Sequence, residues 1–250
     1  MFQGHTISVV LPAYNEEDGL PITLRDMPGC VDEVIVVDNN SKDRTAEVAR
    51  AFGAMVVTEY TQGYGAAYKA GFRAATGDII VTMDADGTYP RTFIPVLLDV
   101  MLDEGLDFVS CDRTGHKKET SSALRLFGNW VLNQAMMILF LIRLRDSQSG
   151  MWVFRRALLE HMDLSSDGMA LSEEIKIEAF TRPGVNAREL PIYYRPRVGE
   201  SKLNLWHDGF YNLWFLVQKR FRGLLNPQPA VHLPRLVGKA AAAPVEREIA

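Results

Sequence analysis

Cysteine is nearly absent from this 250-residue chain: only Cys30 and Cys111 occur. Two thiols build neither a disulfide framework nor a cysteine-based zinc site, so the default expectation is a reducing, cytosolic setting. Long apolar runs are missing too. Met136 to Ile142 is the most apolar later stretch, far short of the ~20 residues a spanning helix needs. Met1 to Thr6 lacks the basic start of a signal peptide, and Ile7 to Leu11 is too short for its apolar part. Nor is positive charge in excess. Lysine plus arginine number 27 against 31 acidic residues, a net charge of -4, which argues against nucleic-acid binding by bulk charge. His5, His116, His161, His207 and His232 show no metal-ligand spacing, and no internal repeat is found. With 47% hydrophobic residues, the chain has enough apolar material to bury a core.

Apolar runs alternate with helical patterns through the first half. Residues 6–11, 33–38, 54–59, 78–84 and 106–111 are rich in Val and Ile, are bounded by turn residues and read as strands. Helical spacing fills 18–26, 44–52, 65–75 and 92–104. Pro90 and Thr92 mark a helix start there, and Gly53, Gly77 and Gly105 follow helix ends. Strands this continuously apolar belong to a sheet covered on both faces, hence a mostly parallel α/β fold. The second half predicts a long apolar helix at 121–144, a strand at 149–155 leading into another helix, a helix at 172–181 and a strand at 187–194. An amphipathic helix is expected at 203–225. One domain is therefore expected over 1–225, followed by a flexible tail, 226–250, where periodicity gives way to Pro, Ala and mixed charge.

Ligand sites in open α/β sheets form at the carboxyl ends of the strands. Three polar clusters follow strands here: Pro12 to Glu16, Asp38 to Ser41, and Asp84-Ala85-Asp86. Any one of them reads equally well as a turn or helix cap; three together are poorly explained that way. Two carboxylates one residue apart after a core strand can hold a hard cation that also bridges two phosphate groups.

LPAYNEE (11–17), VVDNNSKDRT (36–45), GYGAAYKAGF (63–72) and MDADGTYP (83–90) resemble the nucleotide-sugar half of family 2 glycosyltransferases, which have the Rossmann-like GT-A fold. DSQSGMWVFRR (146–156), the Glu173-Glu174 helix, LPIYYRPR (190–197) and VGESKLN (198–204) continue the likeness. The ordered set is similar to the dolichol-phosphate mannose synthase branch, whose members glycosylate polyprenyl phosphates. The resemblance implies an inverting transfer of a hexose, from GDP-mannose or a UDP-hexose, to dolichyl or polyprenyl phosphate. Pro12, Ala13, Tyr14 and Glu16 would line the nucleotide pocket, with Asp38 reading the base and Asn40 beside it. Gly63 and Gly65 would let the 63–66 loop approach the donor. Asp84, Ala85 and Asp86 would meet the diphosphate, the two aspartates holding Mg²⁺ or Mn²⁺. Arg113 and Arg125 would face the acceptor phosphate. Arg195, Arg197 and Lys202 would sit on a closing loop near both phosphate groups. Asp146 would lie near the sugar. Glu173 and Glu174 would either contact acceptor or sugar, or simply complement the helix dipole. Related sequences often carry Gln where Thr88 stands, so a third protein ligand is in doubt and water could replace it.

The chemistry agrees with that implication. A phosphate monoester carries ~1.5–2 negative charges at neutral pH, so it needs cations beside it more than a base. The main alternative is transfer to a saccharide hydroxyl, which requires a carboxylate base such as Glu173 or Glu174. A haloacid-dehalogenase-type phosphatase is the reading from another class, because Asp84 to Thr88 has its D-x-D-G-T form, although three strands precede it. An oxidoreductase is weaker still, with Tyr68 in the third glycine position of its G-x-G-x-x-G. Finally, Trp206, Phe210, Leu213, Val217, Phe221 and Leu224 share one helical face. Together with 121–145 they predict a peripheral enzyme on the cytoplasmic face of a membrane. Lys219, Arg220 and Arg222 would meet anionic headgroups. Burial of that face in the protein's own core is the competing arrangement.

Overall fold

A computed structural model describes residues 1–115, 123–198, 205–225, 229–231 and 233; the side chains at 123, 125, 205–207 and 224 fall outside the description. Seven strands form one sheet: β1 (Ile7–Ala13), β2 (Glu33–Asp38), β3 (Met55–Thr58), β4 (Ile79–Thr82), β5 (Phe108–Asp112), β6 (Trp152–Arg155) and β7 (Ala187–Pro191). Their spatial order is β3-β2-β1-β4-β6-β5-β7. Only β6 runs against the rest, pairing antiparallel with β4 and β5. The helices are α1 (Leu20–Leu24), α2 (Thr45–Ala51), α3 (Tyr64–Ala74), α4 (Ile94–Asp103), α5 (Ala123–Phe140), α6 (Leu171–Thr181) and α7 (Leu205–Leu225).

The sheet is buried on both faces, as its apolar strands require. Ile7, Val9 and Leu11 point into one core with Val36 and Val81, covered by Leu20 of α1, Ala49 of α2 and Leu98 of α4. Val10, Ile35 and Ile80 point into the other, with Tyr68 of α3 and Leu171, Ile175 and Ala179 of α6. Those three α6 residues recur every fourth position, one stripe of a helix. A third cluster joins Leu132 and Met136 of α5 to Leu216 of α7 and Ile177 of α6.

Several elements are shorter than the sequence reading gave them, among them α1, β6 and β7. Pro90 opens a 3₁₀ turn, Arg91–Phe93, and α4 starts only at Ile94. The helix expected after β6 is likewise a 3₁₀ segment, Arg156–His161. The tail expectation for 226–250 lies almost wholly outside the described residues.

Candidate active site

The chain leaves β1 toward β2 on one side and returns to β4 on the other, so the strand order reverses at the carboxyl ends of β1 and β4. Crevices at such reversals are the binding sites of open α/β sheets. Here a cavity of about 470 Å³ opens, lined by Pro12, Ala13, Tyr14, Glu16, Gly63, Asp84, Ala85, Asp86 and Arg197, all singled out from the sequence. Asn39, Gln62, Tyr64, Ala67, Gly168, Met169 and Asp208 complete the wall.

Asp84 and Asp86 share this wall with different neighbours. Asp86 Oδ1 accepts from the backbone N–H and hydroxyl of Thr88, at 3.1 and 2.6 Å. Its Oδ2 lies 3.3 Å from Arg197 Nη1, and Arg197 Nη2 donates to Glu16 at 2.6 Å. Thr88 therefore steadies Asp86; its hydroxyl is committed to that carboxylate. Tyr64 Oη donates to Asp84 Oδ1 at 3.4 Å. Burial, and after it the charge of Asp86, pushes the Asp84 carboxyl up to about 7, against the pull of Arg113 and Arg197. Two hard oxygen donors short of positive charge fit Mg²⁺ or Mn²⁺. Among the described residues no three His, Cys, Asp or Glu side chains cluster as ligands; Asp84 and Asp86 are the pair that would hold such an ion.

Beside the pair stands a buried cation. Arg113, one residue beyond β5, makes a two-pronged ion pair with Asp146, Nε to Oδ2 at 2.7 Å and Nη2 to Oδ1 at 3.0 Å. The Tyr194 and Tyr89 rings flank the guanidinium, with centroids 5.1 and 5.9 Å away. Burial works against its charge, but Asp146 more than compensates and holds it protonated. The sequence reading gave these two residues separate roles; the fold makes them one unit.

The other expected residues have these places. Gly63 lines the cavity, and both Gly63 and Gly65 also pack closely on protein. A Cβ on either would overlap the carbonyls of Asp167 and Ser166, and Ala66 N–H donates to Asp167 O at 3.0 Å. Asp38 does not line the cavity; its Oδ1 accepts Ser41 N–H, closing a turn. Asn40 is exposed in the left-handed conformation (φ 62°), which Asn tolerates. Asn39, passed over from sequence, does the joining: it accepts Gly63 N–H and donates to Glu59 O and Thr61 O. Glu174 does not line the cavity. It accepts from Ser165 Oγ at 2.8 Å and Ser166 N–H at 2.9 Å, and pairs with Lys219 at 3.1 Å. Glu173 is fully buried, hydrogen-bonded by Gln148 at 2.5 Å, and burial pushes it up to about 7. Arg195 has an exposed side chain, and its N–H donates to Thr88 O. The Arg125 side chain and Lys202 lie outside the described residues.

The interface helices are corrected in part. On α7 the inward residues are Asn212, Phe215, Leu216 and Lys219; Phe210, Trp214 and Phe221 are exposed, while Leu213 and Val217 are half-buried. Lys219 is not available to headgroups. It is buried by ion pairs to Glu174 and to Glu178 at 2.8 Å. Trp206 and Leu224 have side chains outside the description. No described helix is long and apolar enough to cross a membrane.

A parallel-majority sheet with a carboxylate pair at its reversal point is the GT-A glycosyltransferase arrangement. The comparisons agree. Residues 8–163 match Glycosyl transferase family 2. A dolichyl-phosphate hexose transferase of Haloferax volcanii is 37% identical over 206 residues, covering 81% of this chain and 89% of the relative. A low-salt glycan biosynthesis hexosyltransferase of the same organism is 33% identical over 85% of this chain, which spans about half (53%) of that protein. Among solved structures, glucosyl-3-phosphoglycerate synthase from Mycobacterium tuberculosis with Mg²⁺ and uridine diphosphate is 26% identical. Its TM-score is 0.65, over 87% of this chain and 79% of that one. The chain belongs to glycosyl transferase family 2. That membership removes the phosphatase reading: Asp84 follows the fourth strand of a glycosyltransferase sheet, not the first strand of a hydrolase.

Proposed function

We propose that this enzyme moves a hexose from a nucleotide sugar to dolichyl or polyprenyl phosphate, with inversion at the anomeric carbon, at the cytoplasmic face of a membrane. The observation that carries the proposal is the buried Arg113 cation next to the Asp84–Asp86 wall. Its pairing with Asp146 uses two of the five guanidinium N–H groups. A cation so placed suits a phosphate acceptor, which needs charge compensation and little help from a base. With Glu174 committed to Ser165, Ser166 and Lys219, one of the two candidate bases for a hydroxyl acceptor is engaged elsewhere. The similar dolichyl-phosphate hexose transferase supports the same acceptor class. Bound Mg²⁺ or Mn²⁺ would be held by Asp84 and Asp86 and would supply positive charge against the leaving diphosphate. Pro12 to Glu16 and the Asn39–Gly63 junction would bind the nucleotide. Arg197 would exchange its present carboxylate partners for phosphate oxygens. A panel of UDP- and GDP-sugars with a short polyprenyl phosphate, assayed for lipid-linked product, is expected to show transfer for one donor. Transfer to free sugars with none to the lipid would defeat the reading.

The membrane part of the proposal rests on an outward apolar surface shared by α5 and α7. Phe127 and Trp130 stack at 6.0 Å on α5, while Phe210 and Phe221 on α7 are 75% and 64% exposed. Aromatic groups this exposed on paired helices are suited to interface depth. A polyprenyl tail leaves the bilayer only at ~0.8 kcal/mol per CH₂, so the enzyme must reach its phosphate there. Wild-type protein is expected to sediment with anionic liposomes, and a folded Phe210→Glu/Phe221→Glu variant is expected to stay in the supernatant. Equal, negligible binding by both would show that docking does not use this face.

A further inference from the structure

Helix α6 is unusual in carrying Ser172, Glu173, Glu174, Lys176 and Glu178 while being buried along almost its whole length. Glu173, Glu174 and Glu178 have the partners described above; Lys176 has a task that the transfer reaction has not yet used. Its side chain is fully buried, and its Nζ lies 3.1, 2.7 and 2.9 Å from the carbonyl oxygens of Asp146, Ser147 and Ser149. Burial pushes the Lys176 amine down to about 7, while the charges of Asp146 and Glu173 pull it up; three acceptors on one nitrogen favour the ammonium, whose three N–H groups meet them all. The Trp152 ring lies beneath it at 6.0 Å. Ser172, one helical turn earlier, donates to two of the same carbonyls, at 3.2 Å to Ser147 and 3.1 Å to Ser149. Carbonyl dipoles turned toward a common point repel one another, so the Lys176 ammonium stabilises this loop shape, together with Ser172 Oγ and the Trp152 Nε1–H that donates to Ser149 O at 2.8 Å.

The loop so gathered carries two parts of the site. At one end is Asp146, which holds Arg113. At the other is Gly150, whose N–H donates to Tyr89 Oη at 2.7 Å and whose carbonyl accepts from Thr82 Oγ1 at 2.8 Å. A Cβ there would overlap Tyr64 Oη and come within 3.0 Å of Asp84 Oδ1. The backbone of Gly150 is thus the floor on which Tyr64 and Asp84 rest. We propose that Lys176 is a positioning residue: its buried ammonium draws the 146–149 carbonyls together and so sets Asp146 against Arg113 and Gly150 against Asp84. It touches neither substrate in this role. The kinetic part of the proposal rests on the transfer reaction proposed above; the structural part does not.

The test compares wild type with Lys176→Met, and with Ser172→Ala as a milder variant should the first fail to fold. Hydrogen exchange of the 146–152 peptide is expected to accelerate on the order of tenfold or more in Lys176→Met, with β1 and β2 amides unchanged. Turnover should fall by on the order of tenfold or more, since small misplacements at a reacting centre are expensive. Affinity for uridine diphosphate measured without added metal should stay within about threefold, because the Pro12–Glu16 and Asn39–Gly63 walls do not rest on this loop, whereas the metal-dependent part of binding, which passes through Asp84, should fall with turnover. A general packing defect would instead loosen the strands and weaken nucleotide binding together. Wild-type loop exchange in a folded Lys176→Met, or in Ser172→Ala if that alone folds, would overturn the proposal. If the wild type itself transfers nothing to lipid, the proposed reaction fails and loop exchange alone decides the role of Lys176.

Discussion

Asp86→Ala is expected to lower hexose transfer by on the order of 10²-fold or more, the effect typical of removing a preorganised charge from a reacting centre. The two oxygens of Asp86 have separate tasks, which makes the experiment more informative than a single deletion. Oδ1 takes the N–H and hydroxyl of Thr88 and so shapes its own loop. Oδ2 faces Arg197 and the cavity. Asp86→Asn can keep the first task and must lose the charge. If the charge matters, Asn and Ala are equally inactive, while the Asn protein melts near the wild-type temperature. Binding of Mn²⁺, followed by calorimetry with uridine diphosphate present, should weaken in both variants. Full activity in excess chelator would remove the metal from the account and shift the charge compensation to basic side chains, Arg197 and Arg113 being the ones beside the Asp84–Asp86 pair among the described residues.

Much of the fold could be read directly because its strands are local signals: EVIVVD between turn residues is a strand wherever it pairs. Pairing is another matter. The antiparallel insertion of β6 between β4 and β5 depends on contacts such as Val81 with Val153, far apart in sequence, and no local pattern encodes it. The same distinction divides the site. Asp84 and Asp86 were legible as cavity residues because they follow a core strand at the carboxyl edge of the sheet, where two further polar clusters converge. Arg113 and Asp146 were each noticed, yet 33 positions separate them, and each alone looked like a substrate contact. Burial turned them into partners. Lys219 and Glu174 were likewise read apart, one as a headgroup contact and the other as an acceptor contact or helix-dipole partner, and the fold pairs them. On α7 the apolar stripe was visible, and a core helix would show the same stripe. The signal that decides its direction is the second stripe, Asn212, Leu216 and Lys219, whose polar members have partners inside the protein: Glu174 and Glu178 of α6 for Lys219, and Gln148 in the loop before β6 for Asn212.

Removing one half of the Arg113–Asp146 pair should damage stability and activity by separable routes. Asp146→Ala leaves the guanidinium buried with its charge uncompensated, and breaking such a pair from one side typically costs about 3–5 kcal/mol. At roughly 2–4 °C per kcal/mol for a chain of this size, melting should fall on the order of 10 °C. Arg113→Met/Asp146→Ala removes both charges and fills part of the space with a flexible apolar chain, so much of that loss should return. Activity should not return with it. If Arg113 meets the acceptor phosphate, its removal raises the acceptor KM and lowers turnover in the double variant as much as in Arg113→Met alone, while uridine diphosphate still binds. The four proteins form a double-mutant cycle read by thermal melting and by transfer kinetics. A double variant no more stable than Asp146→Ala would mean that the penalty comes from lost loop geometry, since Asp146 also accepts Arg113 N–H at 3.2 Å, and not from a stranded charge. A stable double variant with wild-type transfer would place the acceptor phosphate away from Arg113, on the exposed Arg195 or on Arg197 at the cavity mouth.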